Sequence, residues 1–118
     1  MIRTQVRVGA RNEITPGQVL VVSLPRAADK RPREALVMLG QDGEPRAYLN
    51  RCRHLPIPLD TGSRSFLTED GEHLLCKTHG ALFRRDDGMC VAGPCLNLAL
   101  DALTILEENG VLFVLLHS

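Results

Sequence analysis

The chain has 118 residues, of which 44% are hydrophobic and 24% charged. That suits one domain with a buried core and excludes a doubly wound dehydrogenase, a barrel enzyme or a two-domain architecture. Lysines plus arginines number 14, aspartates plus glutamates 14, and tryptophan is absent, so there is neither a basic footprint for nucleic acid nor an aromatic platform for stacking bases.

Strand signals recur along the chain, whereas helical periodicity does not. Thr4 to Val8 alternates, and Val19 to Leu24 is a β-branched run closed by Pro25. The charged segment Ala27 to Glu34, with Pro32 inside it, reads as an exposed loop with room for one helical turn. Ala35 to Leu39 and Ala47 to Leu49 flank Gln41-Asp42-Gly43-Glu44, a hairpin signal. Ser65 to Thr68 and His73 to Leu75 flank Asp70-Gly71, and Ala81 to Arg84 and Met89 to Val91 flank Asp87-Gly88. Pro94 to Leu106 is apolar enough for a helix, but Thr104 and Ile105 favour strand and Gly93-Pro94-Cys95 favours a turn. Thr104 to Glu107 and Val111 to Leu115 flank Asn109-Gly110, a tight-turn pair. The expected fold is all-β and antiparallel, one domain over residues 1–118, with a small subdomain at about 51–83 inserted into a β base. Its core is expected from Val19 to Val22, Leu36 to Met38 and Val111 to Leu115.

No apolar run approaches the roughly 18 residues that cross a bilayer, and the polar start MIRTQVRVGARNE has no leader-like segment. No membrane partner is expected, and the cytoplasm is the expected compartment. In that reducing setting the cysteines Cys52, Cys76, Cys90 and Cys95 read as ligands or thiols rather than a disulfide framework.

The unusual chemistry lies in two short motifs, Cys52-Arg53-His54 and Cys76-Lys77-Thr78-His79, the second followed by Gly80. Each pairs a soft thiolate with an imidazole just after a predicted strand, where a loop can aim both side chains inward. A lone cysteine is ordinarily a small core hydrophobe, and a lone histidine a surface residue, which accounts for Cys90, Cys95, His73 and His117. Two thiolate–imidazole pairs leave two metal chemistries open. One is a structural zinc site, although such sites usually begin with closely spaced cysteines. The other is a [2Fe-2S] cluster with two cysteines on one iron and two histidines on the other.

The segments CRHLPIPLDTG at Cys52 to Gly62, CKTHGALF at Cys76 to Phe83 and DGMCVAGPCLNL at Asp87 to Leu98 resemble the Rieske family. The resemblance implies an antiparallel β-sandwich base, a small inserted cluster-binding subdomain and one [2Fe-2S] cluster. It assigns Cys52 and Cys76 to the inner iron and His54 and His79 to the outer iron near the surface. Neutral imidazoles in place of two thiolates make an added electron easier to hold. This chain also departs from many relatives. Leu55-Pro56 replaces a basic residue and glycine, and Pro56 has no N–H to donate. The stretch between His54 and Cys76 is a few residues longer than usual. Ile57 and Thr78 stand where the high-potential respiratory members have bridged cysteines. Ala81 and Phe83 stand where those members have serine and tyrosine hydroxyls. Fewer hydrogen bonds to the cluster sulfurs predict a potential toward the low end for this ligand set, as in Rieske ferredoxins and the Rieske domains of oxygenases.

An oxygen-activating mononuclear iron would need two histidines and a carboxylate, and the leftover His73 and His117 fall in no such pattern. The resemblance therefore implies an electron-transfer protein, not an enzyme, with a flavin-containing reductase as donor and a terminal oxygenase or other redox enzyme as acceptor. Two alternatives stand beside it: the small Rieske subunit of a nitrite reductase, and a zinc-stabilised, non-redox interaction module.

Overall fold

In a computed structural model of the protein, residues 3–25, 33–51, 59, 66–77 and 80–117 are described. Among these residues nine strands run in chain order: β1 Arg3–Ala10, β2 Leu20–Leu24, β3 Arg33–Leu39, β4 Pro45–Leu49, β5 His73–Leu75, β6 Leu82–Arg84, β7 Cys90–Ala92, β8 Ala102–Glu108 and β9 Val111–His117. A 3₁₀ turn, Arg11–Glu13, follows β1. Six strands form one antiparallel sheet in the order β1-β9-β8-β4-β3-β2, and three form a second in the order β5-β6-β7. The small sheet lies in sequence between β4 and β8, so the base is built from both sides of it. Among the described residues no helix is long and apolar enough to cross a membrane.

β8 joins the two halves of the base. Its first residues, Ala102 and Leu103, pair with β4, and Thr104 to Glu108 pair with β9. The two halves bury one shared core of Ile14, Leu24, Ala35, Val37, Ala47, Leu112 and Val114. A second core faces the small sheet, with Leu36, Met38 and Tyr48 packed among Leu59, Phe66, Leu74, Phe83 and Leu100. β3 belongs to both: Ala35 and Val37 enter one core, Leu36 and Met38 the other, and each of the four is at most 1% exposed. Burial on both faces is why this strand reads as an unbroken apolar run rather than an alternation.

Several expectations need correcting. Arg33 and Glu34 belong to β3 rather than to a loop; Glu34 pairs with Ser23, and its carbonyl accepts the Asn50 N–H at 2.9 Å. Backbone pairing and polar partners there outweigh the charged character of the segment, whose residues 27–32 lie outside those described. Ser65 to Thr68 is not a full strand in its described part, 66–68, but it does pair with β5 across the Asp70-Gly71 turn: Leu67 bridges Leu74, the Thr68 N–H donates to the His73 carbonyl at 2.9 Å and the Leu75 N–H to the Phe66 carbonyl at 2.8 Å. The Thr68 hydroxyl donates to the Asp70 carboxylate at 2.5 Å within that turn. Val19 to Val22 are only half-buried, because β2 is the edge of its sheet. Val111 and Phe113 are likewise half-buried, and Leu112, Val114 and Leu115 carry the burial of β9.

Candidate functional site

The second motif begins where β5 ends. Cys76 is completely buried at the head of a tight hairpin. Its N–H donates to the Ala81 carbonyl at 2.9 Å, and its own carbonyl accepts the Gly80 N–H at 2.7 Å. Ala81 and Phe83, which follow, are fully buried and apolar, so neither supplies a hydroxyl to this hairpin. His79 and Thr78 lie outside the described residues, as do Cys52, His54, Pro56 and Ile57 of the first motif. Among the described residues no three histidine, cysteine or acidic groups gather as a metal site.

The described residues on either side of the first motif, Arg51 and Leu59, are nevertheless bonded. On leaving β4, Arg51 donates to Asp101 at 2.9 Å, and the Leu49 N–H donates to the Asp101 carbonyl at 2.9 Å. The Asn50 side chain then reaches forward, its Oδ1 accepting the Leu59 N–H at 2.9 Å. Its Nδ2 donates back to the Glu34 carboxylate at 3.1 Å. Leu59 is fully buried, and its carbonyl accepts the Lys77 N–H at 2.8 Å. Leu59, within the first motif segment, is thus tied to the residue beside Cys76. Nothing in the sequence around Asn50 or Leu59 marks them; only the tertiary pairing does.

A third segment closes over the hairpin. Gly93 packs so tightly that a Cβ there would lie 2.7 Å from Ala81 Cα, and its φ is +96°, a conformation open to glycine and poorly tolerated by other residues. The turn after it is held by Leu98 N–H to Cys95 carbonyl at 2.8 Å. Cys90 and Cys95 are buried thiols here, not a disulfide pair, and Cys90 Sγ donates to the Ala92 carbonyl at 3.1 Å. Among the described residues the exposed large apolar side chains, Met89, Val91, Leu96 and Leu98, all fall in this stretch.

The small sheet is clamped to the base at its far end. The Tyr48 hydroxyl donates to the Arg85 carbonyl at 2.7 Å, and Arg85 donates to the Leu39 carbonyl at 3.0 Å. Asp86 accepts the Gln41 N–H at 2.6 Å, and its carbonyl accepts Arg46 Nε at 2.8 Å. Burial pushes the Tyr48 hydroxyl pKa up to about 12. The Arg84 guanidinium, followed by the Met89 N–H, holds the Asp87 carboxylate below its usual range.

The chain matches the family described as Rieske [2Fe-2S] domain over residues 4–106. It is 40% identical over 62 residues to the oxygenase component of chloroacetanilide N-alkylformylase from Rhizorhabdus wittichii, a match covering 52% of this chain and 16% of that protein. In structure it resembles the ferredoxin of carbazole 1,9a-dioxygenase from Nocardioides aromaticivorans, with a TM-score of 0.64, 23% identity, and coverage of 94% of this chain and 96% of the other. A chain in the complex of reduced oxygenase and oxidized ferredoxin of carbazole 1,9a-dioxygenase aligns with a TM-score of 0.70 at 24% identity, covering 93% and 91% of the two chains. At these identities the structural likeness speaks for the fold.

Proposed function

Because the chain belongs to the Rieske [2Fe-2S] domain family, we propose that it is a one-electron carrier between a flavin-containing reductase and a terminal oxygenase. The cluster, when bound, takes up and releases a single electron. Cys52 and Cys76 would hold one iron through thiolates, and His54 and His79 the other through imidazoles. The donor chemistry fits: two soft anions and two neutral nitrogens are offered by two loops whose adjoining backbone is bonded, Lys77 N–H to Leu59 carbonyl. That tie is the observation that supports the proposal, since it joins Leu59, five residues beyond His54, to Lys77, the residue after Cys76.

Cys76 contributes from a fully buried position, which keeps water from its sulfur. The exposed apolar side chains from Met89 to Leu98 suit brief docking, as a carrier requires. A ferredoxin matched along 96% of its length supports a carrier rather than a catalyst. Ala81 and Phe83 withhold hydroxyl donors, so the potential is expected in the lower part of the range of about −150 to +300 mV spanned by Rieske centres. A reducing cytoplasm belongs to the same proposal, in keeping with the buried thiols of Cys90 and Cys95.

The test begins with anaerobic purification and metal analysis, which should return about two irons and two acid-labile sulfides per chain. In stopped flow, NADH with a flavin-containing reductase should reduce the holo-protein, and an oxidised Rieske oxygenase should reoxidise it. Zinc without sulfide, or a reduced protein that no Rieske oxygenase reoxidises, would overturn the proposal.

A further inference from the structure

Among the described residues, the side chain that bridges the two sides of the first motif loop is Asn50. Its backbone N–H is bonded to the Glu34 carbonyl at 2.9 Å, which anchors the residue to β3. Its amide oxygen then accepts the N–H of Leu59 at 2.9 Å, nine positions along the chain. Its amide nitrogen donates to the Glu34 carboxylate at 3.1 Å, which fixes which way the amide faces. Leu59 passes the constraint on, because its carbonyl holds the N–H of Lys77, next to Cys76, at 2.8 Å.

We infer that Asn50 is a positioning residue for the cluster: its side-chain oxygen sets the span of the first loop and, through Leu59, the distance between that loop and the Cys76 hairpin. The inference rests on the proposal that the two loops share a [2Fe-2S] cluster. Asn50 need touch neither iron nor sulfide. Removing the amide leaves the Leu59 N–H without its acceptor in a half-buried setting and frees the loop that bears Cys52 and His54. Supporting groups around a metal site commonly matter about 10–100-fold to retention of the metal.

The chemistry also specifies a rescue. An aspartate at position 50 keeps the oxygen that accepts from Leu59 but faces the Glu34 carboxylate with a like charge. A glutamine introduced at position 34 removes that charge and supplies an N–H₂, so the second bond re-forms with donor and acceptor exchanged.

The experiment compares holo-protein of the native chain with Asn50→Ala, Asn50→Asp and the double variant Asn50→Asp/Glu34→Gln. The readouts are the reduced cluster's electron paramagnetic resonance line shape, its reduction potential, the rate of iron loss to a chelator, and amide hydrogen exchange without the cluster. Asn50→Ala should broaden the line shape, move the potential and speed iron loss about tenfold or more. Exchange at Leu59 and Lys77 should quicken, while Val37 and Val114 in the base stay protected. The double variant should recover the line shape and most of the retention. An unchanged cluster in Asn50→Ala overturns the inference, as does a double variant no better than Asn50→Ala. Loss of protection at Val37 and Val114 overturns it too, since Asn50 would then be a general prop of the fold. If Asn50→Ala does not fold, the double variant must still match the native line shape. A native protein with no iron and sulfide sinks the carrier proposal itself, whereas a native cluster indifferent to Asn50→Ala sinks only this inference.

Discussion

The two sheets are made differently. The base uses strands of five to eight residues, joined by long antiparallel ladders such as the five pairs between β2 and β3. Its apolar residues alternate or run continuously along those strands, so local propensity and tertiary burial agree. The small sheet has three strands of three residues each. Few ladder bonds hold it, and most of its order comes from turns, a close glycine contact and side chains that grip backbone carbonyls across the gap. A three-residue strand cannot stand alone in water. The base therefore folds on the strength of its own pattern, whereas the small sheet depends on the base behind it and on whatever its loops enclose.

The sharpest way to break this contrast is to remove the cluster. Cys76→Ser should abolish stoichiometric iron and raise amide exchange at Leu74, Leu75 and Phe83 by about a hundredfold or more, because metal binding and local folding are linked. Val37 and Val114 should keep their protection. Equal loss in both sheets would mean that the molecule is one cooperative unit and the contrast is only geometric.

Core truncation comes next. Leu112→Ala in the base should lower the urea midpoint by an amount equivalent to about 2–5 kcal/mol, and Phe83→Ala in the small sheet by about 3–5 kcal/mol. Both side chains are fully buried. Phe83→Ala alone should also release iron at urea concentrations well below global unfolding, seen as bleaching of the visible spectrum ahead of the far-ultraviolet transition.

Smaller effects test the clamp between the sheets. A Cβ at Gly88 would lie 2.8 Å from Tyr48 Cε1, with φ at +72°. Gly88→Ala should therefore cost about 1–3 kcal/mol in denaturant unfolding, through strain and the shifted ring. Tyr48→Phe, which leaves the Arg85 carbonyl without its hydroxyl donor, should cost about 1 kcal/mol.

The gentlest perturbation is pH. Tyr48 is the one tyrosine of the chain, so tyrosinate absorbance reports on it alone. Its folded pKa is raised by burial from 10.0 to about 12, so the folded state keeps a proton that the unfolded state has lost. The stability this contributes is complete below about pH 10 and is lost as pH climbs toward 12. Native protein should show a late, steep tyrosinate transition coincident with unfolding, and Tyr48→Phe should flatten the alkaline fall in stability. A tyrosinate midpoint near pH 10 in folded protein would contradict the burial.

The same contrast decides what could be read from the sequence. The hairpins at Asp42-Gly43, Asp87-Gly88 and Asn109-Gly110 and the strands of the base were legible, because turn chemistry and side-chain periodicity are local. His73 to Leu75 was legible even in the small sheet, since it abuts the Asp70-Gly71 turn. Leu59, Phe66 and Leu100 were not expected in the core. They lie in irregular backbone, buried by the packing of one sheet against another rather than by any repeat. Gly93 looked like an ordinary turn glycine, and its closeness to Ala81 exists only in three dimensions. Of the candidate ligands, Cys76 stands at the mouth of a hairpin, and Cys52, His54 and His79 lie outside the described residues. Their types and spacing were legible as chemistry. The bonds from Asn50 to Leu59 and from Leu59 to Lys77 were not, because a hydrogen bond to a distant backbone group leaves no mark on residue type.

β3 has a practical meaning for anyone who alters this protein. Neighbouring positions on it address different halves of the molecule: Leu36 and Met38 line the wall behind the Cys76 hairpin, and Ala35 and Val37 line the interior of the base. In a saturation library, substitutions at the even positions should sort by cofactor retention and those at the odd positions by yield of folded chain. One strand, scanned residue by residue, would serve as a two-channel instrument for tuning the redox module and its scaffold separately.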